Sequence, residues 1–445
     1  MTRKYFGTDG IRGRANAEPF TPETLTRIAQ AIGLQFLKDN GHHRVVIGKD
    51  TRVSGYMIES ALTAGFTSIG IEVLSVGVLP TPAIAMLTRT LRADLGVMIS
   101  ASHNPYYDNG IKLFTAEGIK LSDDVEMEIE ERISTHMPLA APSKLGYVQR
   151  IPDAGGRYIE FVKNSIARNI RLEGFHIVLD CAQGAAYKVA PTVLHELGAH
   201  VIRMGCEPDG ININEGCGAT HTAKLSQKVM ETGADLGIAF DGDADRVAFC
   251  DEHGHEINGD QIMALIGKRW HQEGRLKSNS VVATVMSNLG LEKYLEGEGL
   301  KLVRTPVGDR YVAEKMRKEG YNVGGEQSGH IILSDYSSAG DGLLTALQIL
   351  SVFATEQKPA SQLFRVFEPY PQVLKNVKLD TAIITRPEAE SLIQNLQKKL
   401  GNDGRVLVRP SGTEPLVRIM IEGPDQVTIT EDAEILASAF LKMAS

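Results

Sequence analysis

Ile58-Glu59-Ser60-Ala61-Leu62-Thr63-Ala64-Gly65-Phe66-Thr67-Ser68-Ile69-Gly70-Ile71-Glu72-Val73-Leu74-Ser75-Val76-Gly77-Val78-Leu79-Pro80-Thr81-Pro82 is the stretch whose reading decides the fold. It runs as a helix, a glycine at position 70, a β-branched strand, and then a glycine and a proline that stop the strand. The same order recurs at 190–208, with Gly198, Gly205 and Pro208 as punctuation. A third copy spans 288–308, with Gly299, Pro306 and Gly308. Copies this long and divergent do not make a solenoid; they predict three related α/β domains.

Outward from that unit the alternation continues through about the first 360 residues. Apolar residues at Leu25, Ile28, Ala29, Ile32, Phe36 and Leu37 predict a helix over 22–38. Thr21 is placed to cap it, Pro22 suits its first position and Gly41 follows its end. Val45-Val46-Ile47 reads as a buried strand, as do 175–180, 235–240 and 281–285. Strand–helix alternation predicts layered α/β structure with mixed, mainly parallel sheets. The tail differs: a long strand from about 370, a helix over 386–400, strands at 405–409 and 416–422 and a terminal helix over 427–443. That is a smaller C-terminal α+β domain. Pro and Gly gather near 152–156, near 255 and at Pro369–Pro371, which divides the chain into 1–153, 154–255, 256–368 and 369–445.

With 445 residues, three or four domains are expected. A net charge of −8 without a Lys/Arg cluster argues against a nucleic-acid partner. No apolar run approaches the ~18 residues of a membrane span, and no apolar segment follows Met1-Thr2-Arg3-Lys4, so a cytoplasmic protein is expected. The four cysteines lack metal-ligand spacing and read as free thiols. Monomer and homodimer both stay open.

Four loops carry chemistry. Ile99-Ser100-Ala101-Ser102-His103-Asn104-Pro105 follows an apolar strand, at the edge where α/β sheets bind ligands. A serine there can act as nucleophile or carry phosphate, although a plain polar turn uses the same residues. Asp241-Gly242-Asp243-Ala244-Asp245-Arg246 follows the apolar strand Leu236–Phe240. If that segment is extended, its three carboxylates share one side and demand a cation. Oxygen-only ligands favour Mg²⁺ or Ca²⁺. In Gly324-Gly325-Glu326-Gln327-Ser328-Gly329-His330 the glycines allow close approach, Glu326 and Ser328 can bond sugar hydroxyls, and His330 can move protons. Arg409-Pro410-Ser411-Gly412-Thr413-Glu414-Pro415 offers a guanidinium, two hydroxyls and free backbone N–H groups, the parts of a phosphate cradle. Each loop falls in a different expected domain, which predicts a central cleft where four domains meet.

With these loops the chain resembles the α-D-phosphohexomutase superfamily from end to end. The resemblance implies that Ser102, not Ser100, carries the phosphoryl group, and that Asp241, Asp243 and Asp245 bind one Mg²⁺ completed by a phosphate oxygen on Ser102. It places the sugar on Glu326 and Ser328 and its phosphate on Arg409, Ser411, Gly412 and Thr413, with Arg246 and Arg418 as further contacts. Lys112 matches a position that moves protons, with His330, Arg12 and His103 as other candidates; arginine is a poor base, so Arg12 reads as a charge stabiliser. Gln327, the run Phe6-Gly7-Thr8-Asp9-Gly10-Ile11-Arg12-Gly13 and the run Thr305–Tyr311 resemble the subgroup that acts on glucosamine phosphates. Phosphomannomutase/phosphoglucomutase relatives tend to carry Met at the Gln327 position.

The resemblance implies a hexosamine phosphate substrate that passes between its 6- and 1-phosphates through a sugar 1,6-bisphosphate, which also primes the enzyme. The product would feed UDP-N-acetylglucosamine synthesis. A phosphatase would need neither the sugar loop nor a second phosphate clip. A non-catalytic sugar-phosphate binder would have no use for three aspartates beside an exposed serine.

Overall fold

A computed structural model describes residues 4–7, 9–37, 41–410 and 416–444. Its first compact unit comprises residues 1–286 and 300–366, and its second comprises 287–299 and 367–445.

The first unit holds three sheets. One contains β1 (Ile11–Arg14), β2 (Arg44–Lys49), β3 (Glu72–Val78), β4 (Leu95–Ile99), β5 (Asp108–Thr115) and β6 (Val148–Arg150), in the order β1-β5-β4-β2-β3-β6. The next contains β7 (His176–Asp180), β8 (His200–Met204), β9 (Leu236–Phe240), β10 (Val247–Asp251) and β11 (Glu256–Ile257), in the order β11-β10-β9-β7-β8. The last contains β12 (Ser280–Thr284), β13 (Lys301–Thr305), β14 (Val323–Gly325) and β15 (Ile331–Leu333), in the order β13-β12-β14-β15.

One four-strand unit recurs in all three. Its first strand (β2, β7, β12) lies parallel to the next strand in the chain (β3, β8, β13). On its other side it lies parallel to a third strand (β4, β9, β14). That third strand turns back into an antiparallel neighbour (β5, β10, β15). The sequence repeat marks the first crossover of each unit. Gly70, Gly198 and Gly299 have φ of +93°, +97° and +76°, a left-handed turn from helix to strand that disfavours a Cβ.

Local rules account for the elements. The strand β4 is buried at every residue, as expected where both faces of a parallel sheet are covered. The helix Pro22–Phe36 buries Leu25, Ile28, Ala29 and Ile32 against the first sheet's core, each large side chain contributing about 1.5–3 kcal/mol. Thr21 sits at its start but does not cap it through the side chain; its hydroxyl donates to Glu18 Oε1 at 3.0 Å instead. No helix among the described residues is long and apolar enough to cross a membrane. The four cysteines are free.

The second unit is built on β16 (Gln372–Lys378), β17 (Arg405–Pro410) and β18 (Leu416–Glu422), antiparallel in the order β16-β18-β17. The helices Pro387–Leu400 and Gln426–Ala444 pack on it around Val417, Ile419, Ile421 and Phe440. Residues 287–299 belong to this unit because Asn288 exchanges hydrogen bonds with the Tyr370 backbone at 2.9 and 3.0 Å and Arg405 Nη2 donates to Ser287 O at 2.9 Å. The fold class is therefore the expected one: three related α/β layers with mixed sheets and a smaller antiparallel α+β domain.

Candidate active site

The three chemistry-bearing loops of the first unit occupy one structural position. Each joins the third strand of its repeat to the antiparallel fourth: 100–107 between β4 and β5, 241–246 between β9 and β10, and 326–330 between β14 and β15. Repetition of the fold presents three equivalent loops.

Ser102 lies 2% exposed, not on the surface, and its φ is +53°. Its neighbours enclose it because its hydroxyl donates to Asp241 Oδ2 at 2.6 Å. Its backbone N–H donates to Ser100 Oγ at 2.9 Å, and that hydroxyl donates to Asp50 Oδ2 at 2.6 Å. Ser100 is therefore a support for Ser102. His103 Nδ1 stands 3.5 Å from Ser102 Oγ. Burial first, then Arg246 and Arg12, push His103 down to about 4, so the imidazole is neutral near pH 7.

The aspartate loop is a turn, with Ala244 at φ +55°, and not the extended segment expected from the i, i+2, i+4 spacing. The turn still gathers the three carboxylates: one oxygen from each lies within 4.8 Å of the others. Asp241 faces Ser102, while Asp243 and Asp245 face Lys112, whose ammonium donates to them at 2.8 and 2.9 Å. Thr81 Oγ1 also donates to Asp243 Oδ2. Burial, then Asp245 and Asp243, push Asp241 up to about 8. Burial would raise Asp245 as well, but Lys112, His330 and Arg246 outweigh it and hold that carboxyl well below its ordinary value. Burial opposes charge on Lys112, but its carboxylates outweigh that and raise it well above the usual lysine range.

The carboxylate set fits a hard divalent cation. Its donors are all oxygen, and Asp243 Oδ1 is buried without a hydrogen-bond partner among the described residues. A buried acceptor of this kind is costly unless something binds it.

A chain of ion pairs leads away from the triad. Lys120 bridges Asp9 and Asp309, each at 2.5 Å, and Arg12 Nη2 holds Asp9 at 2.6 Å. His330 lies between Asp245 and Asp309, at 3.6 and 3.3 Å. Burial lowers its basicity, but the two carboxylates more than offset this and raise its pKa. In the loop 324–330 Glu326 Oε1 accepts from Gly308 N at 3.1 Å, and Ser328 is exposed. Burial disfavours charge on Arg246, but Asp241, Asp245 and Glu326 restore it.

The structure thus brings together Ser102, His103, Lys112, Asp241, Asp243, Asp245, Arg246 and, through the ion-pair chain, Arg12 and His330. In the second unit Arg409 and Arg418 face each other across β17 and β18, and burial followed by Arg418 lowers the pKa of Arg409. Ser411, Gly412 and Thr413 lie outside the described residues. Sequence reasoning missed Thr81, Lys120, Asp309, Asp50, Arg52 and Asn214. Only Thr81 and Asp309 lay in stretches already singled out; the others carry no local signal.

The sequence matches four successive domains of one family: phosphoglucomutase/phosphomannomutase α/β/α domain I at residues 3–139, domain II at 156–254, domain III at 258–370 and the C-terminal domain at 371–439. The chain belongs to this family, the α-D-phosphohexomutase superfamily. Its relatives there include the phosphoglucosamine mutase of Paramagnetospirillum magneticum, 55% identical over 100% of both chains. The phosphoglucosamine mutase of Granulibacter bethesdensis is 59% identical over 96% of this chain and 95% of its own. A phosphoglucomutase/phosphomannomutase family protein from Burkholderia thailandensis shares the fold, with a TM-score of 0.84, 23% identity and coverage of 99% of this chain and 98% of that one.

Proposed function

We infer that the chain is a phosphoglucosamine mutase, an isomerase that interconverts glucosamine 6-phosphate and glucosamine 1-phosphate. The observation that carries the mechanism is the 2.6 Å hydrogen bond from Ser102 Oγ to Asp241 inside a buried three-carboxylate cluster. The full-length kinship to phosphoglucosamine mutases carries the choice of sugar.

The working enzyme carries a phosphoryl group on Ser102. The Ser102 Oγ–P bond breaks, its electron pair stays on Oγ, and a bond forms between phosphorus and the sugar 1-oxygen. The 1-hydroxyl proton leaves to a base, Ser102 Oγ takes up a proton from a donor, and the hydroxyl so formed again donates to Asp241. The resulting 1,6-bisphosphate turns over and the chemistry runs in reverse: the 6-phosphoryl returns to Ser102 and glucosamine 1-phosphate leaves. Asp241, Asp243 and Asp245 would hold Mg²⁺ here, which when bound offsets charge on the transferring group. Lys112 and His330 are the candidates to donate protons, and neutral His103 to accept one. Arg12 and Arg246 stabilise charge.

The sugar must bind in two orientations. Glu326 and Ser328 offer hydroxyl contacts, and the family resemblance assigns the phosphate to Arg409, Ser411, Gly412, Thr413 and Arg418. The division 1–153, 154–255, 256–368 and 369–445 assigns one loop to each domain. The setting is the cytoplasm, and the product supplies UDP-N-acetylglucosamine synthesis.

The test is ³¹P NMR of the enzyme with Mg²⁺, a trace of sugar bisphosphate and, in parallel, the 6-phosphates of glucosamine, glucose and mannose. Fast conversion of the glucosamine compound alone supports the reading. Preference for glucose or mannose phosphate overturns the sugar assignment, and release of inorganic phosphate overturns the mutase reaction.

A further inference from the structure

Arg52 is 0% exposed, a rare state for a guanidinium. All of its nitrogens are used. Nε pairs with Asp50 Oδ2 at 2.8 Å. Nη2 donates to Ser102 O at 2.9 Å and Asn104 O at 2.8 Å. Nη1 donates to Asp108 O at 3.0 Å and to Pro105 O. Asp50 in turn accepts from Ser100 Oγ, which holds the Ser102 N–H. One side chain and its carboxylate thus grip the loop from Ser100 to Asp108 by its backbone.

A second donor reaches the same carbonyls from another sheet. Asn214 Nδ2 donates to Ser102 O at 2.9 Å and to Asn104 O at 3.0 Å. Its own backbone N–H is tied to Ala182 O at 2.9 Å, just beyond β7. Both residues flanking Arg52 are fastened to that second layer: Thr51 Oγ1 donates to Gln183 O at 2.5 Å and Val53 N donates to Gly210 O at 2.9 Å. The clamp therefore spans the layers that carry the serine loop and the aspartate loop.

We propose that Arg52 and Asn214 are positioning residues for phosphoryl transfer, which hold Ser102 in its left-handed conformation and fix its hydroxyl in register with Asp241. Neither touches the reacting atoms. They act through the Ser102 and Asn104 carbonyls, so their loss should slow transfer and leave sugar binding intact. The proposal rests on Ser102 being the phosphoryl carrier.

Asn214 has φ +59°, so the variant to make is Asn214→Gly, which removes the side-chain donor and keeps that backbone conformation accessible. The second is Arg52→Lys, which keeps the charge and loses the fork. Enzyme labelled with ³²P at Ser102 is mixed with glucosamine 6-phosphate, and single-turnover transfer, steady-state kcat and KM, and thermal melting are measured. Asn214→Gly is expected to lose about 10–100-fold in transfer rate and kcat, the scale of an ångström's misplacement, with KM unchanged and a fall in melting temperature too small to account for the loss. Arg52→Lys should lose at least as much. Transfer at the parental rate in Asn214→Gly, or losses that merely track melting temperature, overturn the proposal. A parent enzyme that never passes its label to sugar overturns the phosphoserine reading, and with it the basis of the proposal.

Discussion

Lys112→Met is the sharpest test of the site's electrostatics. The substitution keeps the length of the side chain and deletes the ammonium that donates to Asp243 and Asp245 at 2.8 and 2.9 Å and lies 3.6 Å from Asp9. Lys112 is 2% exposed, so water cannot replace it. Removing one member of a buried ion pair costs about 3–5 kcal/mol, because the partner charge stays buried. At roughly 2–4 °C per kcal/mol for mid-sized domains, melting in a chelator should fall by about 10 °C. The same ammonium competes with any cation for those two carboxylates. The variant should therefore bind Mg²⁺ more tightly by calorimetry and recover more stability from it, about 2.7 kcal/mol at a hundredfold excess over Kd. If the variant melts with the parent in chelator and binds Mg²⁺ no better, Lys112 is not the charge that balances the triad. Its kcat should fall whichever way the stability result turns, since the ammonium is also a proton donor in the proposed reaction.

Ser102→Ala should abolish conversion of glucosamine 6-phosphate in the ³¹P assay, and near-normal turnover would refute the phosphoserine route. Gly242→Ala would place a Cβ 2.6 Å from Ser102 O and 2.8 Å from Asn214 Nδ2; kcat should fall by about 10²-fold, as for other ångström-scale misplacements, and an unchanged kcat would show that the loop tolerates displacement. Asp341, buried with Tyr158 Oη donating at 2.8 Å, is pushed by burial up to about 6. Its folded pKa lies above the ordinary value near 3.8, so the folded state favours its protonated form. Its contribution to stability is greatest below that value, declines as pH rises towards 6 and then levels. Across that window the parent should lose up to about 3 kcal/mol relative to Asp341→Asn, and denaturation curves with parallel pH profiles for the two proteins would contradict this.

What the sequence determined by itself is whatever short-range order encodes. The period of Leu25, Ile28, Ala29 and Ile32 fixed a helix whose observed span is Pro22–Phe36, and the tail's strands and helices fell within a residue or two of their expected bounds. The Gly70, Gly198 and Gly299 punctuation exposed the repeat because a left-handed turn constrains residue type at one position. Local reading failed where partners compete for a group. Thr21 prefers Glu18 to its helix, and the aspartate loop turns because its carboxylates answer to Ser102, Thr81 and Lys112 and not to one another. Those partners lie far off in the chain: Ser102 bonds a residue 139 positions away, Lys112 one 131 away and Asn214 one 112 away. Only the packing of one layer against the next sets such contacts, by placing equivalent loops of successive repeats side by side. The chemical vocabulary of the site was therefore legible in three short loops; most of the fourth, Arg409–Pro415, lies outside the described residues. The tertiary structure alone decided which carboxylate meets the serine, which cation balances the other two and which buried arginine holds the loop in place. A side chain's hydrogen-bonding capacity is written in its own residue, but its partner is chosen by the packing of elements distant in sequence.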